Sequence, residues 1–290
     1  MRRIEESELI INPDGSIYHL HIRPEHLADD IIVVGDPQRV EVISSYFDTI
    51  EYKIHNREFI THTGFLNGKR FTVMATGIGT DNIDIVLNEL DAVVNIDLEK
   101  RQIKKEHKSL NIIRLGTSGA LQKDIPVDSF VFSSYGLGMD GLLNFYKNKS
   151  QVIDKEMTDA FIDFSKWDED LSKPYIVSAS RTLEDRISKG MYKGITATAP
   201  GFYGPQGRIL RLELENQNIN QVLENFNYNN HVITNFEMET SALYGLGKML
   251  GHKTATVCAI IANRYNHTYS KDYKKTVVKL IEVLLNHLSS

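Results

Sequence analysis

Short apolar runs that read as buried strands alternate along this chain with stretches of helical periodicity, and no other feature constrains the fold as much. Residues 31–34 (Ile-Ile-Val-Val) form one such run and pass directly into Gly35-Asp36-Pro37. Proline suits the first turn of a helix, and Val40, Ile43 and Phe47 then share one helical face. Residues 59–66 and 71–76 flank Asn67-Gly68, a strong hairpin signal. Residues 83–94 read as a helix, 110–115 as a buried strand ending in a Gly116-Thr117-Ser118-Gly119 turn, and 129–135 as a further strand. Then come a helix near 157–164, strands at 175–179 and 195–199, a helical stretch at 213–226, a strand at 232–236, a helix at 239–250 and a strand at 254–262. The last helix runs from about 272 to 288, with Val277, Ile281, Leu284 and Leu288 on its buried stripe. No repeat, low-complexity tract or Pro/Gly-rich linker interrupts the pattern. The alternation predicts an α/β fold with a mixed sheet in a single domain over 1–290.

Composition narrows the function classes. The 290 residues are 41% hydrophobic and 24% charged, ordinary for a globular chain, and the net charge of -5 argues against nucleic acid as a partner. A mildly acidic protein that binds an anion must do so locally, with placed arginines and backbone amides. The single cysteine, Cys258, excludes an internal disulfide and reads as a small core residue in a reducing compartment. The N-terminus lacks the apolar stretch of a secretory signal, and no uncharged apolar run is long enough for a membrane span. The expectation is a cytoplasmic protein without a membrane partner. The lysine-rich stretch 100–108 reads as a solvated loop or helix end.

Four polar clusters stand out, three of them just after a predicted strand, where α/β sheets gather ligands. In Gly35-Asp36-Pro37-Gln38-Arg39, glycine permits close backbone approach, a helix start supplies amides, and Arg39 adds a donor fork suited to phosphate. Alone, it is equally a strand-to-helix turn with a surface arginine. In Arg114-Leu115-Gly116-Thr117-Ser118-Gly119, an arginine lies within an apolar strand, which is costly unless paired, and hydroxyls and glycines follow it. An internal carboxylate partner would explain Arg114 as well as an anion would. No Gly-Lys-Ser/Thr follows, so the segment is not a Walker loop. In Phe236-Glu237-Met238-Glu239-Thr240-Ser241-Ala242, two acids flank a methionine. Carboxylates accept from vicinal hydroxyls such as those of a ribose, yet acids also favour a helix N-terminus for its dipole. In Gly201-Phe202-Tyr203-Gly204-Pro205-Gln206-Gly207-Arg208, glycines and proline force a loop. Gln206 and Arg208 could read a polar ring edge and Phe202 could stack on the ring, or the segment is a surface turn with an aromatic anchor.

These clusters, in this order and together with Thr76-Gly77-Ile78-Gly79, resemble the uridine phosphorylase branch of the nucleoside phosphorylase-I family, from about Tyr18 to Leu288. The resemblance implies a barrel-like mixed central sheet flanked by helices, and phosphate-dependent cleavage of uridine to uracil and ribose 1-phosphate, a pentosyltransferase reaction. By that resemblance Gly35, Arg39, Arg114 and Thr117 look like a phosphate site, with Arg57 matching an arginine that reaches into a neighbouring subunit's site. Met238 and Glu239 match ribose contacts, Glu239 holding the 2′ and 3′ hydroxyls, and His19 matches a histidine lent by a neighbour to the 5′ hydroxyl. Gln206 and Arg208 match the pair that recognises uracil, Phe202 the ring packed on it, Glu237 an acid near sugar and base, and Arg264 an arginine near the base. Arg114, Glu239, Gln206 and Arg208 are thus the expected catalytic set.

The resemblance also implies a homo-oligomer, at least a dimer with shared sites, small-molecule substrates (uridine and phosphate), no catalytic metal and no organic cofactor. Some relatives form a potassium site at a dimer interface near the positions of Glu58 and Ile78; Asp81-Asn82 here departs from the small residues some members carry. The segment 97–109 is longer and more charged than in compact relatives, and 136–145 fits the usual pattern poorly. A purine nucleoside phosphorylase is the nearest alternative, but purine members carry Ser-Asp where this chain has Asn263-Arg264. A nucleoside hydrolase of the same fold needs no phosphate arginines, and a non-catalytic nucleoside-binding protein would carry the same residues without turnover.

Overall fold

In the computed structural model, which describes residues 3–289, the chain folds into strands β1 (Asp30–Val34), β2 (Thr49–Asn56), β3 (Phe59–Leu66), β4 (Lys69–Ala75), β5 (Ile96–Asp97), β6 (Gln102–Ile103), β7 (Asn111–Ala120), β8 (Phe130–Gly138), β9 (Tyr175–Ser178), β10 (Tyr192–Thr198), β11 (Asn227–Tyr228), β12 (His231–Glu237), β13 (Lys253–Asn263) and β14 (Thr268–Tyr269). Its helices are α1 (Gln38–Ser44), α2 (Thr80–Asn95), α3 (Lys155–Ser165), α4 (Arg181–Ile187), α5 (Ile219–Asn225), α6 (Thr240–Met249) and α7 (Tyr273–Ser289). The main sheet runs β11-β12-β10-β8-β13-β7-β1-β4-β3-β2, and β12 also pairs with β7. That extra pairing closes β12, β10, β8, β13 and β7 into a five-strand barrel, from which β1, β4, β3 and β2 extend as an open wing. Pairing is mixed: β7 is parallel to β1 and β13 but antiparallel to β12. The α/β fold with a mixed sheet is the one the alternation predicts, and its barrel-like closure flanked by helices is what the resemblance implies.

Local chemistry explains the elements. Strand β1 is apolar at consecutive positions because both its faces are covered; Ile31, Ile32, Val33 and Val34 are all fully buried. Asn67 and Gly68 adopt φ of 51° and 73°, the pair of left-handed conformations that a two-residue hairpin between β3 and β4 requires. Helix α2 buries Ile83, Val86, Leu87, Leu90 and Val93, one face of a 3.6-residue period. Helix α6 is buried along nearly its whole length, and Leu143 packs onto Gly245 where any side chain would collide.

Three expectations about local structure are corrected. Gly116 to Gly119 is not a turn: β7 continues to Ala120, because β13 runs parallel beside it as far as Asn263 and β12 pairs with Gly119 and Ala120. The helix expected over 213–226 shrinks to α5. Leu210 and Leu212 remain 75% and 81% exposed, so no apolar face holds the preceding stretch helical, and the Asn216 side chain bends the chain by accepting from the Asn218 amide at 2.9 Å. Phe47 lies beyond the end of α1 but still reaches the core, its ring 6.4 Å from that of Phe71.

Candidate active site

The first group of side chains gathers where β1, β7, β10 and β12 approach one another. Arg114 stands in the middle of β7, in register with Val33 of β1 and Thr256 of β13, and only 5% of it is exposed. Its guanidinium reaches forward along the strand over Gly116, where any side chain would collide with it. Nη2 forms a close ion pair with Glu239 and Nη1 lies 3.5 Å from Glu237, while Nε is buried without a hydrogen-bond partner. Burial opposes the charge on Arg114, but the Glu239 and Glu237 carboxylates outweigh it and hold the guanidinium above its ordinary pKa. Glu239 also accepts from the Gly79 amide at 2.8 Å, tying the Thr-Gly-Ile-Gly turn to the same point.

Arg39, in α1, joins from the neighbouring strand end by donating to the Leu115 carbonyl at 3.2 Å. Burial and then repulsion from Arg114 push its guanidinium below its ordinary value, as expected of two cations converging on a space suited to an anion. The start of α1 is less free than its sequence suggests, because the Asp36 carboxylate accepts from the Gln38 amide at 3.0 Å. Gly35 and Thr117 are half-buried beside this group, as is Met238 between the two acids.

Glu237 faces this group rather than the aromatic loop. Its carboxylate accepts from Thr198 at 2.7 Å and from the amides of Glu239 and Thr240 at 3.0 Å, and burial raises its pKa against the pull of Arg114.

The second group forms around the loop after β10. Gln206 is buried, and its side-chain oxygen accepts from Arg208 at 2.6 Å. Arg208 also donates to the Phe202 carbonyl at 2.5 Å, and its guanidinium lies 3.8 Å from the centre of the Phe202 ring. Among the described residues no carboxylate pairs with it; burial and the facing Arg264 push Arg208 down to about 10. Arg264 follows β13 and rests against Gly119 at the far end of β7, with Nη2 3.5 Å from the Gly207 carbonyl and Nη1 buried without a partner. Arg114 and Gly119 are five steps apart on β7, a backbone separation of about 16 Å at 3.3 Å per residue, so β7 carries one group at its middle and the other at its end.

The remaining pair sits elsewhere. Glu89 accepts from the His19 ring at 2.6 Å and from the amides of His19 and Leu20 at 3.0 and 2.8 Å. Glu89 lies ten residues along α2 from Gly79, about 15 Å of helix, so His19 is far from the Arg114 group of its own chain. Arg57 is with it: exposed at the β2–β3 turn, in the left-handed region at φ 54°, it donates to the Tyr18 hydroxyl at 3.3 Å. Glu58 stands beside Gly77, and both Glu58 and Ile78 face outward. No cluster of three or more His, Cys, Asp or Glu arranged to hold a metal occurs among the described residues. None of their helices is long and apolar enough to cross a membrane.

Sequence reasoning missed Glu89 and Thr198, quoted Gly79 only within a motif and without a role, and read Cys258 only as a core residue, although its Sγ lies 3.8 Å from Arg114 Nη1. Glu89 carries a signal, an acid among the buried positions of α2. Thr198 and Cys258 carry none, because small polar residues in apolar strands are ordinary.

Residues 29–288 match the sequence profile of the phosphorylase superfamily, and the chain belongs to that family. Among curated relatives it is similar to uridine phosphorylase of Thermococcus kodakarensis, 29% identical over 90% of this chain and 83% of that protein. It is also similar to a DeoD-type purine nucleoside phosphorylase of Clostridium novyi, 26% identical over 92% of this chain and 97% of that one. Among solved structures it is similar to a Trypanosoma brucei nucleoside phosphorylase described as showing uridine phosphorylase activity. The TM-score is 0.80 at 31% identity, covering 96% of this chain and 99% of the other. A uridine phosphorylase of the oomycete Phytophthora capsici, at 21% identity and a TM-score of 0.70, shares the fold.

Proposed function

We propose that this chain is a uridine phosphorylase, a pentosyltransferase that cleaves uridine with phosphate to uracil and ribose 1-phosphate. The observation that carries the reading is the division of polar groups along β7. Two converging arginines and a carboxylate lie at its middle, and an amide–guanidinium pair beside an aromatic ring lies at its end. A span of about 16 Å suits phosphate, ribose and base laid end to end, with each side chain reaching inward.

In this reading Arg39 and Arg114 hold phosphate, with Gly35 and Thr117 at its edge. Glu239 accepts from the ribose hydroxyls and Met238 lies under the sugar. A phosphate oxygen attacks C1′ as the bond to N1 breaks, and the bonding pair leaves with uracil. Gln206 and Arg208 donate to the carbonyl oxygens where that charge spreads, and Phe202 covers the ring. Orientation of phosphate beside the developing sugar cation supplies much of the rate. The displacement is redox-neutral and its nucleophile is phosphate, so it calls on no organic cofactor. His19, set well along α2 from the turn that meets Glu239, and Arg57, beside Tyr18, complete the site of a second copy in at least a dimer. Arg264, where purine members have an acid, favours a pyrimidine.

The test is a nucleoside panel with and without phosphate, following release of free base. Uridine should be split only with phosphate or arsenate, and cytidine and inosine poorly. Equal release without phosphate would make the protein a hydrolase, and faster cleavage of inosine than uridine would make it a purine enzyme.

A further inference from the structure

Thr198 is the last residue of β10, fully buried and directly opposite Glu237 in the parallel pairing with β12. Its hydroxyl oxygen accepts the Ser241 amide at 2.9 Å and lies 2.7 Å from Glu237 Oε1. An amide can only donate, so the hydroxyl's own proton is left for the carboxylate. Ser241 is fixed in turn: it belongs to the first turn of α6, and its side chain meets Asp140 at 2.9 Å and the Tyr175 hydroxyl at 3.1 Å. The rest of the Glu237 carboxylate takes the amides of Glu239 and Thr240 at 3.0 Å and faces Arg114 Nη1 at 3.5 Å. All of these partners are donors, so the arrangement suits the ionised acid; a protonated Glu237 would set its O–H against them and weaken its hold on Arg114.

We infer that Thr198 is a positioning residue for phosphate capture: its hydroxyl aims the Glu237 carboxylate, which with Glu239 aims the Arg114 guanidinium. The inference rests on the reading of Arg114 as a phosphate ligand and adds a specific device to it. Without the Thr198 bond, Glu237 Oε1 keeps only the Thr240 amide at 3.0 Å, which it shares with Oε2, so the carboxylate is aimed less firmly at Arg114.

The device has a pH signature. Burial raises the Glu237 carboxyl above its ordinary value, while Arg114 and the Thr198 bond pull it down. The charged groups facing it are Arg114 from β7 and Glu239 from its own turn. Tyr175 from β9, Tyr244 from α6 and Cys258 from β13 are all pushed up by burial, Cys258 to about 12, and stay neutral through the working range. Losing the Thr198 bond therefore moves Glu237 further up and protonates it earlier as pH falls.

The experiment compares wild type, Thr198→Val and Thr198→Ser between about pH 5 and 8, measuring KM for phosphate and kcat at saturating uridine, with phosphate binding by calorimetry in parallel. Thr198→Val should raise KM and Kd for phosphate about tenfold, change kcat less, and shift the acid limb of kcat/KM for phosphate to higher pH. Thr198→Ser should restore all three. Should Thr198→Val not fold, Glu237→Gln carries the test, with the same loss in phosphate affinity and no acid limb at the wild-type position. A folded Thr198→Val with wild-type KM and pH profile overturns the inference, as does a Glu237→Gln enzyme that keeps the wild-type limb. Wild type that binds no phosphate overturns the underlying reading instead, so the two failures are distinct.

Discussion

Arg114 and Arg208 are the same residue type in opposite settings. Arg114 is locked in a strand, buried, and bracketed by Glu237 and Glu239, which hold its charge more firmly than water would. Arg208 is half-buried on a loop, stacked on Phe202 and joined to Gln206, with Arg264 facing it and, among the described residues, no carboxylate to balance it. The strand end of the site is preorganised by the sheet, and little there can move without breaking the barrel. The loop end is held by a stack and two hydrogen bonds, and it can adjust around a planar ring. Rigid geometry suits the part of the reaction common to all nucleosides, and an adaptable loop suits the part that chooses among bases.

The largest effect should come from breaking the strand end. Arg114→Met leaves two carboxylates buried without their cation, which costs about 3–5 kcal/mol of stability and removes the anion site. Resistance to denaturant and phosphorolysis should both fall sharply; a variant with wild-type stability would mean that the buried triad is not the paired centre its distances imply.

Arg39→Ala should lose about a hundredfold in kcat/KM, and His19→Ala should also be impaired. Mixing the two variants with subunit exchange restores an intact site in each mixed dimer, about one quarter of all sites at equal amounts. No recovery after demonstrated exchange would place His19 in its own chain's site, despite the separation along α2.

The loop end should respond in activity alone. Arg208→Ala is expected to lose about a hundredfold in uridine turnover while phosphate affinity stays near wild type. Arg208→Lys should rescue it poorly, because an ammonium lacks the planar fork. If phosphate affinity falls in parallel, the two ends of the site are not separable. The smallest effect is expected at Leu212, 81% exposed on the stretch after the loop: Leu212→Ser should change unfolding stability by less than about 0.5 kcal/mol.

The sequence alone determined the fold class and most of the long elements, though not β2 or α4, because burial on both faces of a strand and one face of a helix leaves a periodic record. Residues 31–34 and 83–94 declared their elements in that way, and Asn67-Gly68 declared its hairpin through the φ values it permits. It also marked Arg114, since an arginine in an apolar strand demands a partner. Only the tertiary structure decided what that partner is. Arg114 and Glu239 are 125 residues apart, and closure of β12 onto β7 brings them together. Pairing with β13 turned 116–119 from an expected turn into strand, because that neighbour, absent from any local window, supplies the ladder. The pairing of β10 with β12 gave Thr198 its work as well: a threonine at a strand end has no distinguishing pattern until an adjacent strand sets a carboxylate 2.7 Å away.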